Sequence, residues 1–156
     1  NCSLPGARMA QSDVDGIHWV NDAYNANPSS MLASLKWFQE VSKDAPRRYV
    51  VIGDMLELGE ASLEAHRKVI GCALDSGATV LLLGDQMAAA LRSIAGQAGL
   101  EKVICYPDGS DDSIGKAASF LRKTMRRDDA LLIKGSRGMA LERLTACLID
   151  GGGRNG

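Results

Sequence analysis

Arg48-Tyr49-Val50-Val51-Ile52-Gly53-Asp54-Met55 decides the fold. Four apolar residues follow one another without a polar partner between them. A strand with one wet face alternates apolar and polar residues. An unbroken apolar run is buried on both faces, as in a parallel sheet covered by helices on either side. Working outward, 79–83 (Thr-Val-Leu-Leu-Leu) and 130–133 (Ala-Leu-Leu-Ile) repeat the pattern, and 102–106 is a shorter version. Between these runs lie helical stripes. Met31, Leu32, Leu35, Phe38 and Val41 mark a helix over 28–42. Leu63, His66, Ile70 and Ala73 mark one over 62–76, and Met87, Leu91, Ile94 and Ala95 one over 85–98. Ile114, Ala117, Ala118, Leu121 and Met125 mark 111–126, with Asp111 and Asp112 in its first turn and Arg122, Lys123 and Arg126 in its last. Both ends of that helix complement its dipole. A final helix is predicted over 139–149.

With a short run at 17–21 ahead of the first helix, strands and helices alternate in five units. The fold class is therefore α/β: a three-layer, Rossmann-like open sheet, mostly parallel, with helices on both faces. Residues 8–13 are predicted to pair with 17–21 across Val14-Asp15-Gly16, since Asp-Gly suits a tight hairpin. That gives about five parallel strands and one antiparallel edge strand. Neither an internal repeat nor a long linker interrupts the pattern, so 1–150 reads as one domain. The glycine-rich residues 151–156 read as a frayed tail.

Composition narrows the function classes. The chain has 156 residues, is 46% hydrophobic and 4% aromatic, and carries a net charge of −1. It is long enough to bury an aliphatic core without staples. Near-neutral charge argues against a nucleic-acid or membrane-surface module. The four cysteines form no C-x-x-C pair and only two histidines accompany them, so a structural zinc is not expected. They read as small core hydrophobes in a reducing cytoplasm. No apolar run is long enough to span a bilayer, and the N-terminus lacks a signal-peptide pattern. A start without methionine reads as an excised piece of a longer protein.

In an open α/β sheet, ligands meet the carboxyl ends of the strands. Three loops there carry chemistry. The first is Asn21-Asp22-Ala23-Tyr24-Asn25-Ala26-Asn27-Pro28. Pro28 suits the first position of a helix and Asn27 its N-cap, which explains Asn27 structurally. Asp22, Tyr24 and Asn25 have no such duty, and an acid at a strand end commonly holds a ribose hydroxyl. The second is Gly53-Asp54-Met55-Leu56-Glu57-Leu58-Gly59. Its two acids suit magnesium or an ammonium group, or else a solvated turn. The third is Lys134-Gly135-Ser136-Arg137-Gly138-Met139. Ser136 is expected to cap the last helix, whose N-terminus, with Lys134 and Arg137, suits a phosphate or a carboxylate. His66 falls on an apolar stripe and reads first as a packed, hydrogen-bonded residue, with site lining as its other role. Trp19 and Trp37 read as packing. Neither a G-x-x-x-x-G-K-[ST] loop nor a G-x-G-x-x-G turn is present, so a nucleotide-hydrolysing apparatus is incomplete here.

Taken in order, Asn-Asp-Ala-Tyr-Asn-Ala-Asn-Pro at 21–28, Gly-Asp-Met-Leu-Glu-Leu-Gly at 53–59 with His66 following, and Lys-Gly-Ser-Arg-Gly-Met-Ala-Leu-Glu at 134–142 resemble the C-terminal domain of the Mur ligases. The likeness runs from about Pro5 to Leu148, and the first two motifs point to the branch that joins D-alanyl-D-alanine to UDP-N-acetylmuramoyl-tripeptide in peptidoglycan biosynthesis. The resemblance implies an ATP-dependent, magnesium-requiring cytoplasmic ligase. In it, an N-terminal domain binds the UDP-sugar peptide and a central domain carries the phosphate loop. The C-terminal domain closes over that centre. ATP phosphorylates the precursor's carboxylate, and the incoming amine displaces phosphate from the acyl phosphate. Closure then excludes water and brings the amine near.

Carried residue by residue, the resemblance puts Arg8, Asp22, Asn25 and Asn27 toward ATP. It puts Lys134, Ser136 and Arg137 toward D-alanyl-D-alanine. Asp54 and Glu57 are further candidates for the dipeptide ammonium. Tyr24 and His66 would line the site. The family's P-G-R-M appears here as Pro5-Gly6-Ala7-Arg8-Met9, one residue longer. None of these residues makes the piece catalytic alone. Rival readings are a sister ligase adding another amino acid, a free-standing nucleotide-binding module, and a receiver-like module using Asp54.

Overall fold

The computed structural model describes the backbone at 10–14, 17–22, 27–96 and 99–154, and side chains between 27 and 149 within those ranges. Six strands form one sheet: β1 (Ala10–Val14), β2 (Ile17–Asp22), β3 (Arg48–Gly53), β4 (Thr79–Leu83), β5 (Val103–Tyr106) and β6 (Ala130–Lys134). Their order is β1-β2-β6-β3-β4-β5. β1 pairs antiparallel with β2, and the remaining neighbours pair parallel. The helices are α1 (Pro28–Val41), α2 (Ser62–Asp75), α3 (Asp85–Ser93), α4 (Asp111–Thr124) and α5 (Glu142–Arg154).

The sheet divides the interior into two cores. On one face Val50, Ile52, Val80, Leu82 and Leu132 meet Met31, Leu35 and Phe38 of α1, Val69 and Ile70 of α2 and Met87 of α3. On the other, Tyr49, Val51, Leu81, Leu83, Leu131 and Ile133 meet Ile114, Ala118 and Leu121 of α4 and Leu144 and Leu148 of α5. Successive residues of one strand thus feed opposite cores, which is what the unbroken apolar runs require. Each fully buried Leu, Ile or Phe contributes roughly 1.5–3 kcal/mol. Trp37 packs at the edge of the first core, as its sequence context predicts.

The crossovers explain why α1, α2 and α3 share one face and α4 the other. From β2 to β3, β4 and β5 the chain moves in one direction across the sheet. From β5 it returns to insert β6 between β2 and β3. Crossovers of constant hand place their helices on opposite faces when the direction of travel reverses. β6 therefore stands between two strands whose following helices, α1 and α2, leave toward one core, while its own α5 leaves toward the other. Such a reversal opens a crevice at the strand carboxyl ends.

Most boundaries fall within two residues of the sequence reading, and two helices differ by more. The helix predicted over 85–98 ends at Ser93. The last helix begins at Glu142 rather than 139 and continues through Gly151–Gly153 to Arg154, where a frayed tail was expected. Its start is delayed because Arg137–Met139 forms a 3-10 turn and Ala140 then takes a left-handed φ of 51°. A helix cannot propagate through that corner.

Candidate functional site

The carboxyl ends of β2, β6 and β3 lie side by side, and the three loops singled out in the sequence leave from them. Asp22 is the register partner of Lys134, and Lys134 in turn pairs with Ile52, one residue before Gly53. The backbone thus puts the first motif's acid level with the third motif's lysine. Lys134 is only 2% exposed, so it belongs to the interior of this rim and not to the surface. Arg8, Tyr24 and Asn25 lie outside the described residues, as does the side chain of Asp22.

Asn27 caps α1. Its Oδ1 accepts from Ser30 N at 2.9 Å, and its own N–H donates to Ser30 Oγ at 3.2 Å, with Pro28 at the first helical position. This is the structural role its sequence context predicts.

The 53–59 loop is held from three sides. Asp54 is 3% exposed, and its carboxylate accepts from Gln86 N at 3.1 Å and Met87 N at 2.8 Å. Those amides open α3, which has no side-chain cap of its own at Gly84. Asp54 is thus a cap supplied from another strand, placed where an acid meets the positive end of a helix. Burial pushes its carboxyl above the usual carboxylate range, and the bonds from Met87 and Gln86 pull it part of the way back. It is neither the solvated turn acid nor the accessible phosphoacceptor that the sequence left open.

His66, fully buried on α2, accepts from Met55 N through Nε2 at 3.0 Å. Because Nε2 accepts, the ring proton sits on Nδ1, which donates to the Ser62 carbonyl at 2.7 Å. Ser62 Oγ also hydrogen-bonds Gln86 Oε1, tying α2 to α3. Met55 is buried beneath the loop, and the turn that follows exposes Glu57 with a left-handed φ of 65°. A left-handed non-glycine residue persists only when its surroundings impose it.

The third loop is stitched to the second. Ser136 Oγ accepts from Leu56 N at 3.0 Å, and Ser136 N donates to the Asp54 carbonyl at 3.4 Å. Ser136 therefore caps no helix, contrary to the sequence reading: its hydroxyl makes no cap bond, and a three-residue 3-10 turn follows it. The expected helix N-terminus behind it is absent because α5 starts past the corner at Ala140. Gly138 completes the seam, since a Cβ there would stand 2.6 Å from Leu56 Cδ1. Arg137 and Glu57 are exposed on neighbouring loops of this joined wall.

Arg143, whose guanidinium bonds the Met139, Ala140 and Gly109 carbonyls, and Gly84, against which Asp54 packs, were not singled out in the sequence. Nothing local marks the first, but Gly84 directly after an apolar strand was a usable signal for a close approach. Among the described residues no group of three or more His, Cys, Asp or Glu side chains is gathered to hold a metal ion. Nor is any helix among them long and apolar enough to cross a membrane.

Sheet order and rim together define a three-layer α/β domain whose strand-end wall, centred on β6, gathers the three loops singled out in the sequence. The chain belongs to the Mur ligase family: residues 7–137 match the Mur ligase, glutamate ligase domain. A UDP-N-acetylmuramoyl-tripeptide–D-alanyl-D-alanine ligase of Treponema pallidum (strain Nichols) is 37% identical over 133 residues, covering 85% of this chain and 28% of the relative. One of the same name from Bacillus subtilis (strain 168) is 30% identical over 150 residues, covering 94% and 31%. The chain thus spans less than a third of the length of these relatives. Among solved structures, the fold is shared with MurF ligase from Thermotoga maritima in complex with ADP, at a TM-score of 0.71 and 24% identity over 99% of this chain and 33% of that one. MurF from Acinetobacter baumannii gives 0.75 and 22% over 95% and 31%.

Proposed function

We propose that this chain is the C-terminal, closing domain of the ligase that joins D-alanyl-D-alanine to UDP-N-acetylmuramoyl-tripeptide, and that residues 1–150 act on two further domains of the same polypeptide. The observation that carries the reading is the stitched wall: an exposed acid, Glu57, and an exposed base, Arg137, stand on two loops locked together by Leu56 and Ser136. A free dipeptide is a zwitterion. One wall offering both signs at a fixed separation suits it better than either charge alone. Arg137 would grip the carboxylate and Glu57 the ammonium. Asp54, whose two oxygens are engaged by α3, holds the loop in place and contacts no substrate. Lys134 and Ser136 shape the floor between the loops, with His66 beneath.

ATP is a co-substrate in this reading. The β2 end beside Lys134 is the position from which Asp22 would reach the ribose; Asn25 and Arg8 are assigned to the same ligand by the resemblance, while the triphosphate and magnesium would be held by the central domain. When bound there, ATP supplies the phosphoryl group that activates the precursor's carboxylate. This chain's own part is to orient the dipeptide amine and exclude water as the domains close.

The test uses the full-length ligase. Arg137→Ala is expected to raise the KM for D-alanyl-D-alanine at least tenfold, the loss of one charge-assisted bond of about 1.5–3 kcal/mol, with the KM for ATP unmoved. Asp22→Ala is expected to do the reverse. The isolated chain should show no ligase or ATPase turnover. An Arg137→Ala enzyme with an unchanged dipeptide KM removes the assignment of the wall.

A further inference from the structure

Arg143 lies in the first turn of α5, and every polar nitrogen of its side chain is committed. Nε donates to the Ala140 carbonyl at 2.9 Å, and Nη2 donates to the Met139 carbonyl at 2.7 Å and the Gly109 carbonyl at 2.8 Å. Nη1 donates to Asp111 Oδ1 at 2.8 Å. Two of these carbonyls belong to the corner where the 3-10 turn over Arg137–Met139 meets the left-handed Ala140. The other two partners belong to the loop and first turn of α4, after β5. That loop is itself rigid: Asp108 Oδ1 accepts from Ser110 N, Ser110 Oγ and Ser113 Oγ.

We propose that Arg143 is a positioning residue that sets the direction of Arg137, and with it the affinity of the wall for the dipeptide. The inference rests on the reading of the 134–139 loop given above. The turn has only two backbone bonds of its own, Met139 N to the Ser136 carbonyl and Ala140 N to the Arg137 carbonyl, each at 2.9 Å. Its N-terminal side is fixed by Ser136 on Leu56 and Asp54. Its C-terminal side is anchored by the Arg143 guanidinium, which spans from the corner to the α4 loop. A planar fork can hold three carbonyls and a carboxylate at once. A lysine ammonium, a compact point charge, cannot reach the same set. With the fork gone, the corner keeps its turn bonds and the packing of Met139 and Leu141 in the second core but loses its tie to the α4 loop, and Arg137 is held less firmly. Displacement of about 1 Å at a positioned group can change rates a hundredfold.

The experiment compares Arg143→Lys and Arg137→Ala in the full-length ligase, reading kcat, the KM for ATP, the KM for D-alanyl-D-alanine and Tm. Arg143→Lys is expected to raise the dipeptide KM about tenfold while the ATP KM stays within twofold. A merely structural role lowers Tm and the active fraction, hence kcat, and leaves the dipeptide KM in place; that result overturns the inference. Should the lysine variant not fold, Asp111→Ala removes the carboxylate partner of the same fork at the start of α4 and leaves Arg143 in place. An unmoved dipeptide KM there overturns the inference equally. If Arg137→Ala raises the dipeptide KM and Arg143→Lys does not, the positioning role alone fails. If Arg137→Ala does nothing, the reading of the loop fails and takes this inference with it.

Discussion

Replacing Gly84 by alanine tests the central claim about Asp54, that it caps α3 from outside the helix. Gly84 has a φ of 123°, and an added Cβ would lie 2.3 Å from Asp54 Cγ and 2.4 Å from each carboxylate oxygen. Asp54 is short and its carboxylate is pinned by Gln86 and Met87, so it cannot yield without surrendering both bonds. Two costs combine. An alanine held at that φ costs about 1–3 kcal/mol. Loss of hydrogen bonds to a buried carboxylate adds about 1.5–3 kcal/mol. The sum, about 2.5–6 kcal/mol, is a large part of the 5–15 kcal/mol that holds a domain together. It corresponds to a fall in Tm of roughly 10–20 °C for a chain of this size. Urea unfolding of the four proteins of a double-mutant cycle, with Asp54→Ala as the second change, separates the two parts. In the Asp54→Ala background the clash is gone, and Gly84→Ala should cost only the backbone share. If its cost is the same in both backgrounds to within about 0.5 kcal/mol, the carboxylate is not what Gly84 makes room for.

Two more outcomes follow from the rim and its surroundings. Ser136→Ala removes the acceptor of Leu56 N–H, and should cost about 1–2 kcal/mol in urea unfolding; the proposed function adds a raised dipeptide KM in the full-length protein, and unchanged stability would mean that the seam is not held by that hydroxyl. The acid limb of stability should contain two opposed slopes. The hydroxyls of Ser113 and Ser110 and the Ser110 amide hold Asp108 down at about 2, against an ordinary 3.8, so its contribution is present above 3.8 and is lost as pH falls through about 2. Asp54 is raised by burial, so the folded state binds its proton more tightly and stability declines as pH rises from 3.8 through the raised value. Asp108→Asn should flatten the first slope and Asp54→Asn the second, and an unaltered slope in either variant refutes its assignment.

Sequence periodicity carried the sheet because each strand had to be apolar on both faces. The runs at 50–52, 80–83 and 131–133 have no other reading at that length. The edge pairing of β1 with β2 was legible from the Asp-Gly that separates them, and Pro28 with Asn27 marked where α1 begins. What failed was chemistry whose partner is remote in sequence. Ser136 looks like an N-cap because serine before a helical stripe usually is one, but its acceptor is spent on Leu56, 80 residues away. Asp54 looks like a ligand acid because it follows a strand, but its donors come from the next helix along the sheet. Arg143 carried no signal at all: its bonds depend on a left-handed corner at an alanine, where sequence predicts only a continuing helix. Where the three loops gather was therefore readable, and the hydrogen bonds of their residues were not.

The placement of buried polar groups explains that asymmetry. Away from the rim the cores are almost wholly aliphatic, and several of their few buried polar side chains bond locally: the hydroxyls of Ser42 and Ser76 donate to the Phe38 and Ala73 carbonyls, and Asp129 accepts from Arg126 N. Asp54, His66, Lys134 and Ser136 are buried together at the strand carboxyl ends. Burying such groups is unfavourable unless each is fully bonded, and here the bonds run between elements rather than within them. Asp54 joins β3 to α3, His66 joins the β3 loop to α2, and Ser136 joins it to β6. A core of leucines would hold these elements together as firmly. It would not fix where Glu57 and Arg137 stand, because apolar contacts tolerate sliding and hydrogen bonds do not. The network thus specifies geometry in addition to the stability that its hydrogen bonds contribute. Conservative changes inside it should shift substrate affinity before they unfold the domain.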